Sequence, residues 1–123
     1  MQKVVNCKLV INRYIGDKEE TSVIEGKGYY KNENDEVIVF FSSDDVKYKY
    51  IYKENGLTVF CGDSKYIFKE NEKQIGKIKN GDYTFKITTF STKIECNENN
   101  IILDYSLYQQ DLIGTYHSIL SFN

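Results

Sequence analysis

Apolar and polar residues alternate with a period of two along most of the chain. Between Val5 and Asn12, apolar side chains occupy every odd position and polar ones occupy most even positions. The same alternation occurs from Val46 to Lys53 and in the segment that begins at Ile101. Successive side chains of a strand point to opposite faces, so each segment predicts a strand with one apolar face. No segment of helix length has an apolar stripe at the helical period, and the chain therefore predicts an all-β fold.

Turn-forming residues divide this pattern into about ten strands. Asn55-Gly56 and Asn80-Gly81 are typical of two-residue hairpins, because Asn and Gly tolerate positive φ. The predicted strands cover residues 3–15, 20–31, 36–42, 45–53, 57–61, 64–70, 74–79, 82–96, 101–109 and 112–122. Consecutive hairpins with one apolar face each favour a single antiparallel up-and-down β-barrel of about eight to ten strands, with little helix. The length suits one domain spanning residues 1–123.

One predicted strand changes phase. In the strand 82–96, Phe85 and Ile87 share one parity, whereas Phe90, Ile94 and Cys96 share the other. A bulge of one residue near Thr88-Thr89 returns both sets to the same side of the sheet. We therefore predict that this long strand bends, as strands do where a sheet curls into a barrel.

The apolar faces predict which side chains fill the barrel. The expected interior comprises Val5, Cys7, Leu9, Tyr48, Tyr50, Leu57, Val59, Tyr66, Phe68, Leu103, Tyr105, Leu107, Tyr116 and Leu120. Tyrosine is unusually common, with eleven copies and no tryptophan. A buried tyrosine needs a partner for its hydroxyl, so the inward rings either pack together or line a cavity.

Four of these tyrosines form the predicted ligand site. Tyr50, Tyr66, Tyr105 and Tyr116 lie on inward faces of different strands and can converge on one cavity. Each offers a flat apolar ring and a hydroxyl that can donate or accept a hydrogen bond. A connected cavity of about 300 Å³ or more would favour a small apolar or aromatic ligand. A filled barrel with an exposed apolar patch would instead favour a protein partner or a second copy of the chain.

Charge and chain ends argue against several classes of partner. The formal net charge is −2, and no apolar run approaches the length of a membrane-spanning helix. In the segment from Val46 to Lys53, tyrosines and lysines occupy opposite faces, which is unlike the mixed surface of a single-strand-binding protein. We therefore expect neither nucleic acid nor membrane as a partner. The N-terminus has no apolar signal region, which predicts a cytoplasmic protein.

Residues for catalysis or metal binding are sparse. His117 is the single histidine, and Cys7, Cys61 and Cys96 are not clustered at ligand spacing, so we expect three reduced thiols and no metal or other cofactor. Ser118 adjoins His117 but points to the opposite face of a strand. We accordingly expect no enzyme activity. A cleft holding His117 near a thiol or a carboxylate would reopen that question.

Two short motifs have plainer interpretations than ligand binding. The run Gly26-Lys27-Gly28 lacks the third glycine and the helix of a dinucleotide site. Its two glycines indicate a strand position where a neighbour packs closely or the barrel bends. The acidic pairs Glu19-Glu20 and Asp44-Asp45 lack the spacing of a calcium loop, and we interpret them as solvated turn residues.

The order of motifs resembles that of the YwiB-like family of small bacterial proteins. The resemblance rests on the runs 24–30 (IEGKGYY), 103–107 (LDYSL) and 112–117 (LIGTYH), and it extends over nearly the whole chain. It implies a calycin fold, the lipocalin-like antiparallel barrel, and leaves the activity open. Where the family often has a Thr-Pro-Tyr-Gly turn, this chain reads Asn80-Gly81-Asp82-Tyr83. The Gly-x-Trp signature of secreted lipocalins is absent.

Overall fold

The computed structural model describes residues 2–123, which form ten strands and no helix. In chain order these are β1 Gln2–Ile15, β2 Lys18–Glu33, β3 Glu36–Ser43, β4 Val46–Lys53, β5 Gly56–Cys61, β6 Ser64–Lys69, β7 Lys73–Asn80, β8 Tyr83–Cys96, β9 Asn100–Gln109 and β10 Asp111–Phe122. Every predicted strand is present, with ends within two residues of those expected. The alternation of apolar and polar residues was therefore sufficient to locate the strands.

The ten strands close into one up-and-down barrel. Each strand pairs antiparallel with its neighbours in the chain, and β1 pairs with β10 from Cys7 opposite Phe122 to Tyr14 opposite Thr115. This closure confirms the predicted all-β antiparallel barrel. It leaves two ends, and we call the end with the β1–β2, β5–β6 and β9–β10 turns the upper end.

Tight turns connect the strands, and two of them differ in detail from the prediction. Between β4 and β5 the residues with positive φ are Glu54 and Asn55, while Gly56 already belongs to β5, opposite Lys53. Between β7 and β8, Asn80 pairs with Tyr83, so the turn proper begins at Gly81. The hairpins are present as predicted, but strand pairing shifts their central residues by one position from those expected.

The barrel interior is apolar and deeply buried. Leu9, Val39, Phe41, Leu57, Ile101 and Leu120 are at most 2% exposed. Tyr30 stacks on Phe122 near the lower end, with ring centroids 5.2 Å apart. All fourteen residues expected inside are buried or half-buried. The prediction omitted Val39, Phe41 and two polar residues of β8, Thr89 and Ser91, that are equally buried.

Glycines allow the sheet to turn sharply between β2 and β3. A β-carbon at Gly28 would overlap the backbone carbonyl of Phe40, and one at Gly26 would overlap that of Ser42. Gly76 of β7 meets the carbonyl of Lys65 in the same way at the β6–β7 corner. These positions accept no side chain, because a backbone atom occupies its space. The observed close approach agrees with the structural interpretation of Gly26 and Gly28.

Buried hydroxyls replace ladder hydrogen bonds at the β6–β7 corner. Thr89 is fully buried, and its hydroxyl donates to the backbone carbonyl of Ile67. Ser64 accepts a hydrogen bond of 3.1 Å from the backbone N–H of Lys79. Backbone groups that lose their ladder partner at a corner need another partner when they are buried. These two hydroxyls supply it.

The bulge in β8 lies later than predicted. Its register shifts between Ser91 and Lys93, not near Thr88-Thr89. Thr89 and Ser91 continue the inward row, and Phe90 points outward and is half-buried. The Ser91 hydroxyl lies 2.8 Å from the carbonyl oxygen of Asp104, to which it donates. Because apolar parity alone set the predicted position, inward hydroxyls bonded to the backbone were mistaken for outward ones.

Candidate functional site

A cavity of about 240 Å³ lies inside the upper half of the barrel. Its walls are mostly apolar or aromatic: Leu9, Ile11, Tyr48, Tyr50, Val59, Cys61, Tyr66, Phe68, Leu103, Tyr105, Leu107, Tyr116 and Ser118. The cavity is smaller than the volume of roughly 300 Å³ that we expected to favour a ligand. The interior is not filled either, so neither of the two predicted arrangements is met in full.

All four sequence-predicted site tyrosines line this one cavity. Tyr50 comes from β4, Tyr66 from β6, Tyr105 from β9 and Tyr116 from β10. Tyr105 stacks nearly parallel on Tyr116, with ring centroids 4.8 Å apart, and meets Phe68 edge-on at 4.9 Å. The barrel closure thus brings together rings that are up to 66 positions apart in the sequence (50 to 116).

Burial keeps the deeper phenols neutral. Tyr50 is 5% exposed, and burial raises its pKa well above the usual value. The pKa of Tyr105 is also raised, first by burial and then by the neighbouring Tyr116 and Tyr66. Burial raises the pKa of Tyr66 in the same direction. At neutral pH these groups are protonated phenols, which can donate and accept hydrogen bonds within an apolar space.

Two further wall residues were not among the four predicted. Tyr48 and Cys61 lie directly opposite each other in β4 and β5. Burial raises the pKa of the Cys61 thiol, and a hydrogen bond with the Tyr48 hydroxyl works against it. Tyr48 was expected inside the barrel, but neither residue was expected at the site. The alternation of apolar and polar residues predicts which side chains of a strand point inward, but it does not predict how high each side chain lies along the barrel.

The single arginine of the chain stands at the rim of the cavity. Arg13 continues the inward row of β1 beyond Ile11 and lies directly opposite Tyr116. Its guanidinium carbon is 5.9 Å from the Tyr116 ring centroid, and its Nη1 is 3.9 Å from a Glu20 carboxylate oxygen. Its Nε is buried and has no hydrogen-bond partner among residues 2–123. The sequence prediction missed Arg13, although its odd position in β1 already placed it on the inward face.

His117 has a carboxylate partner, but outside the barrel. Its Nδ1 contacts the Asp104 carboxylate across β9 and β10, and both side chains are about one third exposed. Ser106 and Thr115 form the next outward pair, with hydroxyls 3.4 Å apart. The pair meets one condition set for reopening the question of catalysis, the nearby carboxylate. It does not meet the other condition, a position in a cleft, since neither residue lines the cavity.

Other side chains that could bind a metal or react as thiols are dispersed over the barrel. Within the described residues, no three His, Cys, Asp or Glu side chains are grouped so as to hold a metal ion. Cys7, Cys61 and Cys96 are free thiols. Over the same part of the chain, no helix has the length and apolarity needed to cross a membrane. The site is therefore defined by rings, phenols and one guanidinium.

The fold and cavity define a ten-stranded up-and-down β-barrel with a tyrosine-lined interior. A crystal structure of the ywiB protein from Bacillus subtilis has the same fold, with a TM-score of 0.81. The match covers 99% of this chain and 92% of that one at 13% sequence identity, so the likeness concerns the fold alone. No family model matches the chain. No curated protein matches it either.

Proposed function

We propose that the protein binds a small apolar or aromatic molecule inside the barrel and performs no chemistry on it. The observation that supports this is the convergence of four tyrosines on one internal space of about 240 Å³. An engineered apolar cavity of about 150 Å³ in another protein binds benzene. By that measure the space here suits a single substituted ring or a short aliphatic chain.

The walls offer such a guest both apolar and polar contacts. Leu9, Leu103 and Leu107 present aliphatic surface, while the tyrosines present ring faces and hydroxyls. None of the four phenol hydroxyls bonds to another group within residues 2–123. Arg13 at the rim favours a guest whose polar or anionic end faces the upper opening. A few polar groups on a mostly apolar wall are typical of small-molecule sites.

We extend the proposal to the family of the protein, its location and the absence of catalysis. The shared fold with the ywiB protein, together with the motif resemblance, supports membership of the YwiB-like family and a calycin relationship. The unclustered free thiols favour the reducing cytoplasm. Catalysis is disfavoured because the one histidine lies on the outer surface, away from the cavity.

Thiol protection tests whether the cavity takes a ligand. Cys61 lines the cavity, whereas Cys7 and Cys96 do not and serve as internal controls. With cinnamyl alcohol as the added molecule, we expect iodoacetamide to modify Cys61 at least threefold more slowly and the other two thiols at unchanged rates. The readout is peptide mass spectrometry over a time course. Equal rates with and without the alcohol, or equal slowing of all three thiols, would contradict the proposal.

Two variants make the test specific. Ser118→Leu places a larger side chain in the cavity wall and should abolish the protection of Cys61. Tyr105→Phe removes only a hydroxyl and should weaken binding while the thermal midpoint stays within a few degrees. Native mass spectrometry of protein purified from its own host then asks which molecule occupies the site in the cell. We expect a bound species in wild type that Ser118→Leu lacks.

The second candidate function is an interaction module. Tyr14, Ile15 and Leu112 are 39%, 43% and 56% exposed near the upper end of the barrel. Exposed apolar side chains near one end of the barrel favour contact with a protein partner or a second copy of the chain. Sedimentation of the purified chain discriminates the two, because self-association through Leu112 should disappear in the variant Leu112→Ser.

A further inference from the structure

The outward side of the wall formed by residues 46–91 carries lysines and no acidic residue. All nine lysines between Val46 and Ser91 point outward from β4, β6, β7 and β8, and eight of them are exposed. They are Lys47, Lys49, Lys53, Lys65, Lys69, Lys73, Lys77, Lys79 and Lys86. The five acidic residues of the same segment all lie in turns: Glu54, Asp63, Glu70, Glu72 and Asp82. We call the outward side of β4–β8 between residues 46 and 91 the lysine face.

Strand register aligns part of the lysine face into a single row. Lys49 of β4 lies opposite Phe60 of β5, and Phe60 lies opposite Lys65 of β6. Lys65 in turn lies opposite Lys77, and Lys77 lies opposite Lys86. The row therefore crosses five strands at right angles to their direction. Neighbouring strands are about 4.8 Å apart, so three of these cations stand on consecutive strands at that spacing.

Aromatic rings continue the same row. Phe40 of β3 pairs with Lys49, and Tyr29 of β2 pairs with Phe40 and stacks on it at 5.2 Å. The Lys65 ammonium lies 5.7 Å from the centre of the Phe60 ring. Rings and cations thus share one outward line, although they come from different strands. Within β4 itself, tyrosines and lysines occupy opposite faces. The rings that accompany its outward lysines come from β2, β3 and β5.

This arrangement is costly to the isolated fold. Like charges directly opposite one another in a sheet are destabilising. None of the nine ammonium groups forms an ion pair within residues 2–123, whereas Lys31 and Lys93 elsewhere each have a glutamate partner. Outward lysines also discourage edge aggregation, but each of these strands has a paired neighbour on both sides in the closed barrel. The cluster is therefore better explained by an anionic partner.

We propose that the lysine face binds single-stranded nucleic acid along the row from Tyr29 to Lys86. The ammonium groups would contact successive phosphates, and Phe40, Phe60 and Tyr29 would provide surfaces on which bases stack. Positive grooves or tracks interleaved with rings are how proteins bind single strands without strong sequence preference. The net charge of −2 is compatible with this surface, because the acidic residues of the segment 46–91 lie outside its strands. This surface lies on the outside of the barrel, and binding to it does not involve the cavity.

The shape of the surface favours a flexible polymer over a membrane. The lysine face occupies five of the ten strands, which is half of a convex wall. A flat bilayer touches such a wall along only the strands nearest to it. A single strand can bend around the wall and reach every cation of the row. Half-buried rings also suit stacking better than insertion into lipid.

Anisotropy titrations with fluorescein-labelled dT15 and rU15 test the proposal. At 20 mM KCl we expect wild-type protein to bind with micromolar affinity and the triple variant K65Q/K77Q/K86Q to bind at least tenfold more weakly. The matched control K3Q/K8Q/K18Q removes the same charge from outside the lysine face and should change affinity by less than threefold. The slope of the logarithm of the binding constant against the logarithm of the salt concentration should become shallower by about 2 in K65Q/K77Q/K86Q, because three phosphate contacts are lost. Phe60→Leu should weaken binding and leave the salt dependence unchanged.

Three results would overturn the proposal. They are no binding of either oligonucleotide at 20 mM KCl, equal weakening by both triples, and binding to vesicles containing 30% phosphatidylserine without binding to oligonucleotide. Misfolding is distinguished by urea denaturation. Since K65Q/K77Q/K86Q removes like-charge repulsion, its unfolding midpoint should equal or exceed that of wild type.

Discussion

At the scale of single residues, three side chains have roles that follow from where strand pairing places them. Arg13 meets a cavity ring at the rim, and Thr89 and Ser91 satisfy buried backbone carbonyls. Each is a polar or charged residue on an inward face of the barrel. Such positions are expensive unless a partner is present. Thr89 and Ser91 have theirs in the protein, whereas the Nε of Arg13 has none within residues 2–123.

Arg13 should discriminate between charged and neutral guests of the cavity. With cinnamate and cinnamyl alcohol as matched ligands, we expect Arg13→Gln to weaken cinnamate binding about tenfold, the effect of losing one charge-assisted hydrogen bond. Binding of the alcohol should change by less than twofold. Isothermal titration calorimetry measures both. An equal loss for the two ligands would assign Arg13 a structural role instead.

Thr89 should be important for stability although it is polar. Thr89→Val keeps the shape of the side chain but leaves the Ile67 carbonyl without its donor. We expect the free energy of unfolding to fall by about 1–3 kcal/mol, the usual cost of an unpaired buried acceptor. Thr84→Val on the outward face of the same strand is the control and should change it by less than about 0.5 kcal/mol. Urea denaturation gives both values, and similar values for the two variants would contradict the corner role.

At the scale of elements, the barrel is shaped by positions where strands come unusually close. β2 turns against β3 at Gly26 and Gly28, and β7 turns against β6 at Gly76. The bulge between Ser91 and Lys93 bends β8 as well. Bulges and glycine kinks are the general means by which a sheet curves enough to close. The closed wall in turn creates the cavity.

Gly28 should accept no side chain, in contrast with a glycine elsewhere in the sheet. Gly28→Ala forces its β-carbon onto the Phe40 carbonyl, and the paired strands cannot separate without losing hydrogen bonds. We expect a loss of about 3 kcal/mol in the free energy of unfolding. Gly56→Ala is the matched control, because its β-carbon would meet nothing closer than 3.5 Å. Thermal and urea denaturation should show Gly56→Ala near wild type, and comparable losses in both variants would refute the close-approach argument.

At the scale of the whole molecule, the barrel separates the acidic residues of the segment 46–91 from its lysines and encloses the four cavity tyrosines. The turns at both ends hold the acidic residues of the segment 46–91, and the wall holds its lysines. The interior holds protonated phenols and thiols. Both separations depend on closure, since an open sheet would expose the inward tyrosines. Buried ionisable groups therefore link stability to pH.

The protein should lose stability in mildly alkaline solution. Burial raises the pKa of the Cys7 and Cys96 thiols from 9.0 to about 11, and it raises the pKa of Tyr50 and Tyr105 above 10.0. A raised folded-state pKa means that the folded chain holds its proton more tightly. The stabilisation is complete below the unfolded pKa and is lost as pH rises above it. We expect a constant free energy of unfolding up to about pH 8.5 and a fall between pH 9 and pH 11.

Urea denaturation at pH 8, 9, 10 and 11 measures this fall. The variant C7A/C96A has no thiol proton to lose at those positions, so its stability should decline less between pH 9 and pH 10. Its stability at pH 8 provides the reference for the loss of packing. A free energy of unfolding that stays constant or rises up to pH 11 would show that these groups are not desolvated by folding.

By itself, the sequence determined the strands, their inward faces outside the bulged part of β8, and the identity of the converging tyrosines. These follow from a period of two, which is a local property of the polypeptide chain. The tertiary structure alone decided the height of each side chain along the barrel, the position of the β8 bulge and the place of Arg13 beside Tyr116. It also decided that Lys49, Phe60, Lys65, Lys77 and Lys86 form one row. Register between strands and closure of β1 on β10 set these features, and both depend on pairing between residues that are distant in the sequence.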